Sequence, residues 1–303
     1  MNTEDRVFIS TSCIGGRTTY QDAIDKILNT SIKNIEISGN HYYLDNFELT
    51  KIIKHYQENK VNFSLHNYFP TPSNEIVMNL LSRNEKIYKE SFNVLENAFS
   101  ISKQTDIKIY GVHPGYFRDA KIDNDKFKFD GNKISINESM EFYINKFQNY
   151  YKKLQSINNN IFFGLENLFP NFDKTNDSFM CTFDEIEKIL NIPYVNKSNI
   201  GIILDLGHLN ISSNLLEFDK YYFLDKLVDL YSDKIYEVHI SENEGRFDSH
   251  DELKSDSWQL EVLHMFKNSG PKNSPTIFTL ESRNLTSNKI ENYHNNIIKF
   301  INI

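Results

Sequence analysis

Cysteine is scarce in this 303-residue chain: only Cys13 and Cys181 occur, far apart and without a C-x-x-C spacing. That argues against a thiolate zinc site or a redox dithiol, and a reducing cytoplasm is the expected setting. Long apolar runs are also missing; none approaches the roughly 18 consecutive residues of a membrane span, so no membrane partner is expected. The opening residues, MNTEDRVFIS, lack the cationic stretch and apolar run of a secretory signal. Positive charge is not in excess either. A formal net charge of −8 repels polyphosphate at long range and counts against nucleic acid as a partner.

What is present is an ordinary globular balance, 39% hydrophobic and 24% charged residues, enough to bury a large core. Short β-branched and aromatic runs alternate with longer amphipathic stretches, the pattern of βα units around a parallel sheet. The strand candidates are Arg6–Ser10, Lys33–Ser38, Val61–His66, Ile107–His113, Ile161–Glu166, Asn199–Asp205, Lys234–Ile240 and Thr276–Glu281. Helical patterns follow them over Thr19–Leu28, Asn46–Glu58, Ser73–Ser102, Ser139–Leu154, Thr182–Leu190, Phe218–Tyr231, Ser257–Asn268 and Asn288–Ile301. Thr182 with Glu185 three residues on is a capping-box arrangement. Eight such pairs without an intervening linker predict an α/β fold, one (β/α)8 TIM barrel over residues 1–303. Two stretches exceed a minimal barrel, Gly115–Asn137 and Ser241–Asp256. Both are expected to be irregular βα loops on the catalytic face, where long loops serve a site.

The residues that close the strands carry the chemistry. Glu36, His66, His113, Glu166, Asp205, His239 and Glu281 each follow apolar residues of a proposed strand, so seven consecutive strands end in an ionisable group. Unpaired carboxylates converging at a barrel mouth would repel one another and push their pKa values up. A divalent cation removes that conflict. Imidazole and carboxylate together suit zinc, manganese, cobalt or iron, with magnesium a further candidate, and disfavour calcium. Asp205-x-x-His208 and Asp248-x-His250 offer ligands for a second or third ion. The competing reading for the core residues is a network of buried ion pairs. It needs basic partners at the strand ends, and the sequence offers no lysine or arginine there. His208 as a helix cap and Asp248 with His250 as a solvated pair are the competing readings for those residues. His41, His55, His264 and His294 read as structural or exposed.

The series HNYFP, HPGY, LEN, LDLGH, VHISEN with DSH, and LES resembles the xylose-isomerase-like barrel superfamily, and the resemblance spans nearly the whole chain. That superfamily holds sugar and sugar-phosphate isomerases and epimerases, and also the endonuclease IV family of abasic-site nucleases. The resemblance implies a single ion on Glu166, Asp205, His239 and Glu281. Glu166 and Glu281 would then be the catalytic acid and base of an isomerase or epimerase acting through an enediolate, with pKa values tuned towards neutrality. Arg246 and His208 would contact a small sugar or sugar-phosphate substrate; Glu36, from its strand-end position, is expected to bind substrate or to stand behind a ligand, against the competing reading of a structural hydrogen bond within the mouth. The endonuclease branch adds His66, His113, His208, Asp248 and His250 and holds three zinc ions. All nine residue types are present, so a zinc-dependent phosphodiester hydrolase is the alternative. The stretch HNYFPTPSNEIVMNLLS lies closer to the isomerase branch, which is the leading expectation. Oligomeric state, a homo-oligomer included, is left open by the sequence.

Overall fold

Eight short parallel strands close on themselves in the order β1 (Val7–Ser10), β2 (Asn34–Ile37), β3 (Asn62–Leu65), β4 (Ile109–Val112), β7 (Phe162–Glu166), β8 (Ile200–Asp205), β9 (Ile235–Ile240), β10 (Ile277–Leu280) and back to β1. The remaining two strands, β5 (Asp119–Asp123) and β6 (Lys126–Asp130), form a separate antiparallel hairpin. The computed structural model describes residues 2–123, 126–172 and 175–303. The barrel and its helices make one domain, as the alternating pattern predicts, and no helix among the described residues is long and apolar enough to cross a membrane.

Side chains alternate along the strands except at the register shift between β8 and β9, where the adjacent Tyr236 and Glu237 both face inward, and this sets where the site can be. Outward residues such as Ile35, Leu65, Tyr110, Phe163, Leu204, Val238 and Leu280 join the large core beneath the helices. Inward residues form layers. Phe8, Ile109, Ile203, Tyr236 and Ile277, with Phe162 against them, plug the lower barrel. The next layer is small or polar: Ser10, Glu36, Ser64, Gly111, Gly164, Glu237 and Thr279 are its inward residues. Gly164 is needed there, because a Cβ on it would lie 2.4 Å from Ile203 Cδ1. Above that layer, where the strands end, come the histidines and carboxylates.

Helix starts follow the local chemistry. Asp45 accepts from Phe47 N and Glu48 N to cap α2 (Asn46–Glu58), and the Thr182–Glu185 capping box forms at α6 (Phe183–Leu190). Three expectations need correction. The pattern over Ser73–Ser102 is not one helix: α3 spans Glu85–Thr105, and the apolar run before it is held irregular. Asn79 holds it, its Oδ1 accepting from Leu81 N and Tyr116 N while its Nδ2 donates to Asp119. The Gly115–Asn137 stretch is not structureless but carries the β5–β6 hairpin; Asn124 and Asp125 lie outside the described residues. Finally, α8 (Leu206–Leu216) starts directly at the end of β8, before the expected helix, which is α9 (Lys220–Tyr231).

Candidate metal centre

Four of the strand-end residues meet at one point. Ligand atoms of Glu166, Asp205, His239 and Glu281 all lie within 4.8 Å of one another, and all four residues are buried. His239 Nδ1 is 3.1 Å from Glu281 Oε2, 3.5 Å from Glu166 Oε1 and 4.0 Å from Asp205 Oδ2. Asp205 is split between two tasks: its Oδ1 accepts from His208 N at 2.7 Å and caps α8, which leaves Oδ2 for the centre. Asn167 ties the ends of β7 and β8 together, accepting from Asp205 N at 2.7 Å and donating to Asp205 O at 3.0 Å.

Two further groups adjoin this one. His66 Nε2 and His113 Nε2 lie 2.8 and 3.2 Å from Glu166 Oε2, so Glu166 faces both groups at once. His208, Asp248 and His250 form the third, with Asp248 Oδ2 at 3.6 Å from His208 Nε2 and 2.8 Å from His250 Nε2. The outer nitrogens are oriented from behind, as metal-binding imidazoles are. His208 Nδ1 lies 2.8 Å from Asn167 O, where its N–H can donate, and His113 Nδ1 is 3.1 Å from the Tyr116 hydroxyl. All nine residues of the expected set therefore converge, although they come from seven separate strand ends and loops.

Histidine charge sets the electrostatics in the absence of an ion. Burial pushes the Glu166 carboxyl up, but His66 and His113 outweigh it and hold the group well below its ordinary value. Glu281 likewise falls to about 2, burial being overcome by His239 and His66. Burial raises Asp205 to about 6, against the pull of His208. The imidazole neighbours thus favour the ionised form of Glu166 and Glu281.

Above the centre opens a cavity of about 1050 Å³, with Glu166, Glu281, His66, His113 and His208 on its floor. Arg246 stands exposed at its rim, its guanidinium 5.9 Å from the Phe172 ring centre. Of its expected places, Glu36 takes the one behind a candidate ligand and not the substrate contact. It is fully buried, is not among the residues lining the cavity, and sits one layer down with its Oε2 3.0 Å from His239 Nε2. His41 is structural, one of its two expected readings: it is buried, with its Nε2 3.0 Å from Thr11 Oγ1. Sequence reasoning missed Glu237, which is fully buried 3.6 Å from His239 Nε2 and accepts from the Thr279 hydroxyl. Its signal was available, since position 237 shares the inward face of β9 with His239.

Comparison with known proteins agrees with this architecture. Two proteins of Methanocaldococcus jannaschii are similar in sequence. MJ1614 is 28% identical over 174 residues, 57% of this chain and 55% of that protein, so the match spans about half the relative's length. MJ1311 is 25% identical over 266 residues, 87% of this chain and 79% of that protein. Both are described as uncharacterized. Among solved structures, a D-tagatose 3-epimerase-like protein superposes with a TM-score of 0.71 at 19% identity, covering 98% of each chain. The IolI protein with a binding zinc atom gives 0.68 at 15% identity, again over 98% of each chain. At these identities the structures share the fold. The family model for the xylose isomerase-like TIM barrel matches residues 29–280, and the chain belongs to that family.

Proposed function

We propose that this chain is a metal-dependent isomerase or epimerase of a sugar or sugar phosphate. The carrying observation is the convergence of Glu166, Asp205, His239 and Glu281 on one buried point at the foot of an open cavity. The donor set fits a divalent ion: three carboxylates crowd one imidazole, and His239 Nδ1, fully buried, makes no hydrogen bond. Zinc or manganese suits such a set, and the zinc-binding IolI structure, sharing this fold, favours zinc. A bound ion would supply Lewis acidity, polarising a substrate carbonyl.

The residues of the chain do the rest. Glu166 and Glu281 approach His239 from different strands: the one that enters the step ionised takes a carbon-bound proton, the other enters it protonated and returns its proton to the carbon, and the pair regains its starting state by exchange with water. Arg246 at the rim binds substrate oxygens. The epimerase-like protein with the same fold supports this class. The test is incubation of the chain with ketoses and ketose phosphates in deuterium oxide. Incorporation of deuterium at a carbon next to the carbonyl is expected, and its absence across the panel counts against the reading.

One observation favours a second reading. The groups His66–His113–Glu166 and His208–Asp248–His250 complete the set that a three-zinc phosphodiester hydrolase uses. Three equivalents of zinc with cleavage of abasic-site DNA would establish it in place of the first.

A further inference from the structure

The mouth of the cavity differs in character from its floor. Arg17, Arg246 and Arg283 line it, and they come from the loops after β1, β9 and β10, three neighbouring strands of the barrel. Among the described residues lining the cavity, Glu75 is the one acidic residue outside the candidate ion-binding residues. One side of the mouth is therefore cationic, on a chain whose net charge is −8.

Elsewhere the mouth is apolar. Ile122 and Phe127 of the β5–β6 hairpin are 36% and 41% exposed and line the cavity, and Phe172 and Phe247 are 52% and 62% exposed with ring centres 5.1 Å apart. Tyr116 connects this wall to the floor: its ring centre is 5.8 Å from that of Phe127, and its hydroxyl meets His113. Exposed rings gathered at a cavity mouth mark a surface that a ligand covers. The volume agrees, since about 1050 Å³ lies at the top of the range of roughly 300–1,000 Å³ that encloses a drug-sized ligand.

We propose that the substrate is a sugar carrying an anionic group and, beyond it, a flat-faced group, as in a nucleoside diphosphate sugar whose ring bears a keto group, the carbonyl next to which the floor would move a proton. The inference rests on the isomerase or epimerase reading for the floor and extends it to the mouth. The reacting sugar sits over Glu166 and Glu281, the phosphates are met by Arg17, Arg246 and Arg283, and the base lies against Phe127 with the Phe172–Phe247 pair. Guanidinium groups suit phosphate oxygens through paired N–H donors. Aromatic side chains suit the face of a base whatever its identity.

The test is calorimetric titration of the full chain with uridine diphosphate, inorganic pyrophosphate and D-fructose, repeated after chelator treatment. Uridine diphosphate is expected to bind more tightly than pyrophosphate and to keep binding after chelation. Phe127→Ala should weaken uridine diphosphate by about five- to a hundredfold and leave pyrophosphate unchanged. Arg283→Ala should weaken both. Equal binding of the two anions, indifference to Phe127→Ala, or complete loss on chelation overturns the proposal. So does rapid proton exchange in free D-fructose that Phe127→Ala leaves untouched, although the epimerase reading would then stand. The expected binding pattern without proton exchange in any sugar supports the mouth assignment and overturns the epimerase reading.

Discussion

His239 Nε2 lies 3.0 Å from Glu36 Oε2, with both side chains fully enclosed in the barrel. Glu36 lies one layer below the strand ends, while Glu281, Glu166 and Asp205 face the other nitrogen of the same ring. His239 Nε2 and Glu36 Oε2 meet at ion-pair distance outside hydrogen-bond geometry, and a carboxylate behind Nε2 favours the tautomer that keeps its proton there and leaves the Nδ1 lone pair to an ion, as the carboxylates behind metal-binding histidines do. Glu36→Gln removes the charge while keeping the shape. It should lower cobalt or zinc affinity by about 10- to 100-fold, measured by competition with a chelator. Affinity equal to that of the unaltered chain would show that Glu36 only fills space.

Glu166→Gln and Glu281→Gln test the proton-transfer roles. Each should slow deuterium incorporation into substrate by at least about a hundredfold, the scale of a lost general acid or base. Circular dichroism should be unchanged, since the amide keeps the volume of the acid. Full activity in either variant removes that carboxylate from the mechanism.

His41 gives a pH prediction away from the candidate ligands. Burial pushes its pKa down from 6.5 to about 4 while its Nε2 bonds Thr11. Above the unfolded value both states hold the ring neutral and nothing is lost. As the pH falls from 6.5 towards 4, the unfolded chain gains a proton that the folded chain refuses, and stability drops by about 3 kcal/mol in total. His41→Gln, which does not titrate, should flatten the denaturant midpoint against pH in that window. An unchanged slope would place the acid sensitivity elsewhere.

The barrel interior gives a stability prediction. Gly164→Ala places a methyl 2.4 Å from Ile203 Cδ1 and 2.5 Å from Ile203 Cγ1, so the isoleucine must turn within a packed layer. The cost should be about 1–3 kcal/mol, read from urea denaturation. Ile203→Val in the same chain should recover part of it; no loss in Gly164→Ala would mean that the layer has slack.

The strand ends were legible because a buried strand ends where an ionisable residue interrupts an apolar run, and this held for Glu166, Asp205 and Glu281 within a residue. The place of Glu36 was left open and Glu237 was missed because the sequence shows a residue's face but not its depth along the barrel axis. The hairpin was hidden for a different reason: Ala120, Ile122, Phe127 and Phe129 alternate with charged residues as a strand pair requires, but their high polarity resembles a loop. The false helix before Glu85 came from apolar periodicity alone. The side-chain bonds of Asn79 that break it span 37 and 40 residues and leave no local trace.

The metal content of the full chain, purified without chelator, tests the central claim most directly. At least one tightly held equivalent of a divalent transition metal is expected in the unaltered chain, and almost none in Asp205→Ala or His239→Ala. A folded chain that carries no such metal and takes up none when it is offered would contradict the account.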